Sequence, residues 1–274
     1  MNAIKTALLL GALSSLLLFG GRAIAGEQGL YLGLAAAIAM NFFSYFFSEK
    51  IALSTTGAQP VTPESHPQIY RRIGPMTADL AKRMDIPMPR LWVTPEPSPN
   101  AFATGRNPQH SSVAVTAGLL ELMNDGELQG VIAHELGHIK NRDILTASVA
   151  ATIASAISFL AQMAFFFGGR RHDDDDGGAW AGPLMFLVPL LIAPMIQMAI
   201  SRTREYSADA TAAKYCGTPH GLISALQRLE GFAKRIPMDA SPAQAHMFII
   251  NPLKGMFSTH PSTTDRVARL QQLG

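Results

Sequence analysis

Four long apolar stretches constrain this chain more than any other feature, because each approaches or exceeds the run of about 20 residues that crosses the hydrocarbon core of a bilayer as a helix. They cover roughly 4–21, 29–48, 144–168 and 179–200. From Ile144 to Gly169 no residue is charged, and Ala, Ser, Thr and Gly recur as they do where helices touch in membranes. The last stretch carries Pro183, Pro189 and Pro194. Prolines persist in spanning helices whose neighbours satisfy the freed carbonyls, so a kinked span is expected there. The first stretch has a second reading as a cleaved signal peptide, since Lys5 precedes the apolar run and Ala23-Ile24-Ala25 resembles a small-residue cleavage site. Arg22 beside that cut, and a second apolar run directly after it, suit a retained helical hairpin better. Composition agrees with a chain partly in lipid: 48% of the 274 residues are apolar and 15% charged.

Setting the spans aside leaves 49–143 and 201–274, two pieces that together have the size of one domain with its own core. The expected organisation is two N-terminal spans within 4–48, the first part of the domain at 49–143, two further spans at 144–200 and the rest of the domain at 201–274. Lys5, Lys50, Lys140, Arg142, Arg202, Arg204 and Lys214 fall on one side of such a layout, against Arg22, Arg170 and Arg171 on the other. The positive-inside tendency then puts both termini and both soluble pieces in the cytoplasm. The loop 168–178, with His172 and four aspartates at 173–176, faces outward; such an acidic run reads as a solvated loop sooner than a cation site. The formal net charge of +2 gives no extended basic surface for nucleic acid, and the one cysteine, Cys216, allows no internal disulfide.

Within the first piece, Ile69, Ile73, Leu80 and Met84 recur at helical spacing, and 90–94, 100–104 and 112–116 read as short strands between Pro and Gly breaks. In the second piece 219–235 and 263–270 read as amphipathic helices. The decisive signal is Val131-Ile132-Ala133-His134-Glu135-Leu136-Gly137-His138. Asn124, followed three residues later by Glu127, marks a capping box and predicts a helix from about Asp125 through Asn141. On that helix His134 and His138 stand one turn apart on one face, where both imidazoles can reach the same tetrahedral ion. Glu135 projects beside that face, placed to take a proton from a water activated by the metal. A third ligand is available in Glu205, directly after the fourth apolar stretch. Residues 138 and 205 can share an ion only if an even number of spans separates them, and two do. Asp209 lies one turn beyond Glu205 on the same face, where it can accept the free N–H of a ligand histidine.

An HExxH helix, two spans and then a Glu-x-x-x-Asp helix resemble the HtpX family of bacterial membrane metalloproteases, and are similar also to the prenyl-protein endopeptidases of the Ste24 type. The resemblance implies an α+β zincin-like (gluzincin) domain, mostly helical with a small sheet, combined with four transmembrane helices. It implies one zinc ion per chain, a multi-pass place in the bacterial inner membrane, and proteolysis of misfolded or damaged membrane proteins in quality control and stress response. Polypeptide substrates, the lipid bilayer and other quality-control proteases are the partners it implies. Asn100-Ala101-Phe102-Ala103 resembles the family's edge-strand segment, which gives Asn100 a role in meeting substrate backbone. His260-Pro261-Ser262, followed by Arg266, matches the family's C-terminal pattern, which implies that His260 stabilises the oxyanion and Arg266 supports it.

Rival functions fit less well. In an intramembrane protease of the site-2 type the motif lies inside a span, whereas here Asp125, Glu127, Lys140, Asn141, Arg142 and Asp143 flank it. A metal-stabilised scaffold or chaperone has no need of Glu135. A transporter needs ionisable residues within its spans to mark a pathway. Processing of a prenylated peptide stays open at the level of motif.

Overall fold

Helix α4 (Asp125–Lys140) is the element around which the rest is arranged, and its start is set by the residues that precede it. Asn124 Oδ1 accepts from the Glu127 N–H at 3.0 Å, while a Glu127 carboxylate oxygen accepts from the Asn124 N–H at 3.0 Å. This is the reciprocal capping box, which satisfies two backbone donors that a helix start otherwise leaves bare. The other Glu127 oxygen accepts from Ser224 Oγ at 2.6 Å and pairs with Arg228 at 3.1 Å, so one buried carboxylate caps α4 and ties it to α6 (His220–Arg235, numbered below).

The computed structural model describes residues 2–146, 149, 202–235 and 261–274. In chain order these form α1 (Asn2–Thr55), β1 (Gln59–Pro60), α2 (Pro67–Arg83), β2 (Arg90–Thr94), β3 (Ala101–Asn107), β4 (His110–Thr116), α3 (Ala117–Leu122), α4, α5 (Arg202–Cys216), α6 and α7 (Thr263–Gln271). The expected strands are present. The first matches residue for residue, the second begins one residue later and runs on to Asn107, and the third begins two residues earlier at His110. Helix α3, which the sequence reading did not anticipate, is capped by Thr116, whose side chain accepts from the Leu119 N–H.

Leu128, Val131, Ile132, Ala133, Leu136 and Ile139 of α4 are all wholly excluded from solvent. With Gly130, His134, Glu135 and Gly137, which are also buried, they leave no side of the helix open, so α4 is wrapped by α2, α5, α6, β3 and β4 rather than lying on a surface. Burying each large aliphatic side chain stabilises the fold by about 1.5–3 kcal/mol. The neighbours come close because the contact points carry no side chain. A Cβ on Gly130 would stand 2.5 Å from the Leu222 nitrogen, and one on Gly137 would stand 3.2 Å from the Ala208 Cα.

The sheet has the order β1-β2-β4-β3. β2 runs parallel to β4, with Leu91 opposite Val113, and β3 pairs antiparallel to β4, with Ala103 also opposite Val113. β3 therefore ends the sheet, with α1 and α4 packed against it. Its bulge between Gly105 and Asn107 uses Gly105 at φ +136, where a Cβ would meet the His110 carbonyl at 2.2 Å.

Helix α1 is not straight. A straight helix separates residues 27 positions apart by about 40 Å, yet Asn41 Nδ2 donates to Ser14 Oγ at 2.8 Å. A Cβ on Gly33 would likewise meet the Leu17 carbonyl oxygen at 2.3 Å. The element doubles back, with Gly26 at φ +59 between the two arms. No single helix among the described residues is long and apolar enough to cross a membrane. One pair bent by 66°, Gly26–Phe43 with Tyr45–Thr55, is so by length and composition. The expected spans 144–168 and 179–200 lie outside the described residues apart from 144–146 and 149, as does the acidic loop at 173–176.

Candidate metal centre

Glu205 enters α5 in its first turn and Asp209 follows one turn later; with Ala208, Ala212 and Ala213 they form the face buried against α4. Small residues on that face, opposite Gly137, let the two backbones approach closely enough for a glutamate to reach both histidines. His134 Nε2 and His138 Nε2 are 3.2 Å apart. His138 Nε2 lies 3.4 Å from Glu205 Oε1, and His134 Nε2 lies 3.6 Å from Glu205 Oε2. A tetrahedral zinc with bonds of about 2.0–2.1 Å holds its ligand atoms about 3.3–3.4 Å apart; each Glu205 oxygen faces a different histidine near that spacing, and one ligand atom from each of the three residues lies within 4.8 Å of the others. Two imidazole nitrogens and a carboxylate are also the donor set that zinc favours, and the residues fit the metal.

The far nitrogen of each histidine is held by a carboxylate. Asp209 Oδ1 lies 2.9 Å from His134 Nδ1, and Asp143 Oδ2 lies 3.1 Å from His138 Nδ1. Such contacts set the tautomer that leaves Nε2 free for an ion. Asp209 is gripped in turn by Arg266 of α7, which donates from Nε at 2.9 Å and from Nη2 at 2.7 Å in a two-pronged pair. Burial alone would raise the Asp209 carboxyl, but the charge and hydrogen bonds of Arg266 together with those of His134 outweigh it and hold Asp209 below the usual carboxylate range. Burial alone would lower His134, yet its bonds to Asp209 and Glu205 push it up to about 9. Arg266 Nη2 stands 3.4 Å from both ring nitrogens of His134. A guanidinium so placed suits a neutral, metal-bound ring better than a protonated one.

Glu135 is buried beside the triangle, and Oε2 accepts from the Ala103 N–H at 2.8 Å. That N–H points away from β4 and toward the site. Burial pushes the Glu135 carboxyl up, against the opposing pull of His134 and His138. Asn100, buried just before β3, donates its N–H to Thr116 Oγ1 at 2.8 Å, and its carbonyl accepts from the Thr116 N–H at 2.9 Å.

Of the residues expected to form a site, the fold brings together His134, Glu135, His138, Glu205, Asp209 and Arg266, and sets Asn100 at the root of the edge strand. His260 lies outside the described residues. The support that Arg266 was expected to give His260 therefore lies outside the described residues too, while the hydrogen bonds described for Arg266 go to Asp209 and His134. Asp143, Arg204 and the Ala103 N–H were not anticipated. Asp143 stands five residues after His138, a spacing that shares no helix face, so helical periodicity gives no sign of it.

Two histidines one turn apart on a buried helix, closed by a glutamate from a second helix and flanked by an acid at a strand edge, make the centre of a metallopeptidase. The chain belongs to peptidase family M48, which it matches over residues 67–273, and among its members it stands with the HtpX homologues. It is 48% identical to the protease HtpX homolog of Pelotomaculum thermopropionicum, across 100% of this chain and 99% of that one. It is 50% identical to the protease HtpX homolog of Nostoc punctiforme, across 99% and 96%. Among solved structures, Ste24p of S. mikatae shares the fold at a TM-score of 0.50 and 17% identity; the match covers 98% of this chain and 64% of that one.

Proposed function

We propose that the protein is a zinc-dependent endopeptidase of the bacterial inner membrane, its catalytic domain toward the cytoplasm, that hydrolyses misfolded or damaged membrane proteins in quality control. The observation that carries this reading is the cluster of His134, His138 and Glu205 with Glu135 buried at its side and bound to the Ala103 N–H of β3. Residues 4–48 and 144–200 supply the membrane spans, and 49–143 with 201–274 make up the domain they anchor. Relatives that carry the name protease at about half identity support the peptidase reading, and the resemblance to the HtpX family supports the membrane setting and the stress role.

His134, His138 and Glu205 would hold a zinc ion, which when bound would supply Lewis acidity to the hydrolysis. An extended polypeptide binds alongside β3, through backbone N–H and C=O groups and irrespective of its side chains. Asn100 lies at the head of that strand. Glu135 takes a proton from the attacking water and passes it to the leaving amide nitrogen; its raised proton affinity suits both halves of the transfer. Asp209, braced by Arg266, keeps His134 aimed. His260 is proposed as the donor to the oxyanion.

The test is Glu135→Gln in detergent-purified full-length protein, with zinc content and turnover of an unfolded membrane protein measured side by side. The glutamine oxygen can still accept from Ala103, so β3 stays in place. Zinc should remain at one per chain while turnover falls about 10²–10⁴-fold, the usual contribution of a general base. Equal turnover at full zinc occupancy removes Glu135 as base and favours a metal-stabilised scaffold.

A further inference from the structure

The two ligand histidines are braced differently, and the second brace depends on how α4 ends. The Asp143 N–H donates to the His138 carbonyl at 2.9 Å, and the Arg142 N–H donates to that of Ile139 at 3.0 Å. That is the Schellman ending, which requires a left-handed residue between helix and exit. The residue is Arg142, at φ +58, not the glycine that takes this conformation without strain. A direct exit from the helix would carry residue 143 away from His138. The left-handed turn instead folds the chain back, so that Asp143, 2% exposed, sets Oδ2 at 3.1 Å from His138 Nδ1. The same oxygen faces Arg204 Nε at 3.9 Å, too far for a hydrogen bond and near enough for the charge to be felt. Arg204 is nine-tenths buried, and its Nε and Nη1 find no hydrogen-bond partner among the described residues. A buried cation so placed costs stability unless its charge is used. Asp143 closes the first half of the domain and Arg204 opens the second, so their pairing joins the chain on either side of the long apolar insertion.

Resting on the zinc reading above, we propose that Asp143 is a positioning residue: it holds His138 in the tautomer and orientation that turn Nε2 to the metal, and Arg204 holds Asp143 for that task. The Arg204–Asp143–His138 line thus matches the Arg266–Asp209–His134 line, and the site is braced on both sides.

The experiment is a zinc competition titration on the full-length protein in detergent, read together with thermal unfolding in excess chelator. Wild type must first bind one zinc that is lost in His138→Ala; if it does not, the zinc reading itself fails. Asp143→Asn keeps size and an acceptor oxygen but loses the charge, and should weaken zinc about tenfold, more than any fall in the metal-free melting temperature from the uncompensated Arg204 accounts for. Asp143→Ala should weaken it by up to about a hundredfold, the range seen when carboxylate partners of metal-bound histidines are removed. Arg204→Ala should weaken zinc by a smaller factor, and the double variant should bind no worse than Asp143→Ala alone. Wild-type zinc affinity in Asp143→Asn overturns the proposal for Asp143. Multiplying effects in the double variant overturn the role given to Arg204.

Discussion

His134 is the residue whose chemistry responds most directly to pH. With no metal bound, its bonds to Asp209 and Glu205 hold a proton on the ring up to about 9, against the effect of burial. A metal arriving at neutral pH must displace that proton, so proton and ion compete for one ring. The sign follows: zinc affinity should rise about tenfold per pH unit from about 7 toward 9 and level off above. Competition titrations at several pH values measure the slope, and a flat profile would mean that His134 carries no proton before the metal binds. The same residue shows what a sequence can and cannot reveal. His134, Glu135 and His138 were legible because 3.6-residue periodicity turns a five-residue motif into geometry, and Glu205 because the two expected spans would return the chain to the same side. Asp143 was not, since its place depends on a left-handed Arg142 that no local residue preference announces.

At the scale of elements, the site rests on how closely α5 lies against α4. A Cβ at Gly137 would stand 3.1 Å from the Ala208 carbonyl oxygen and 3.2 Å from its Cα, within a contact that bears both Glu205 and Asp209. Alanine asks the α5 backbone to yield by a few tenths of an ångström; a β-branched side chain asks for more. Gly137→Val should therefore lower zinc affinity more than tenfold by displacing Glu205, although it changes no ligand. Overpacking of this kind costs about 1–3 kcal/mol in stability, so circular dichroism should show a folded chain. Unchanged zinc binding in the valine variant would mean that α5 is not held at this point. The capped start of α4, by contrast, could be read directly from Asn124 and Glu127, because a capping box is a contact between near neighbours. Packing at Gly137 joins residues some seventy positions apart and leaves no mark in either segment.

For the whole molecule, the shared site requires that His138 and Glu205 lie on one side of the bilayer. Reporter fusions after Lys50 and at Gly274 should both read cytoplasmic, and one within 173–176 should read outside; opposite locations for the first two would break the shared site. Apolar length made the expected spans conspicuous in the sequence, and two runs in close succession pointed to a helical hairpin; the contact between its arms, Asn41 to Ser14, left no mark there. Edge strand β3 packs against α1 on one side and α4 on the other. Layers of this kind lie about 10 Å apart, and an extended chain advances about 3.3 Å per residue. With residues 4–48 in the bilayer as proposed, and Leu53 of the same helix packed against Phe102 of β3, only a few residues of substrate separate lipid from the scissile bond, so the enzyme would act as a ruler that counts from the point where its substrate leaves the membrane. Cleavage sites mapped by mass spectrometry should then cluster at a short, constant distance from each substrate's last apolar residue, whatever side chains flank the cut.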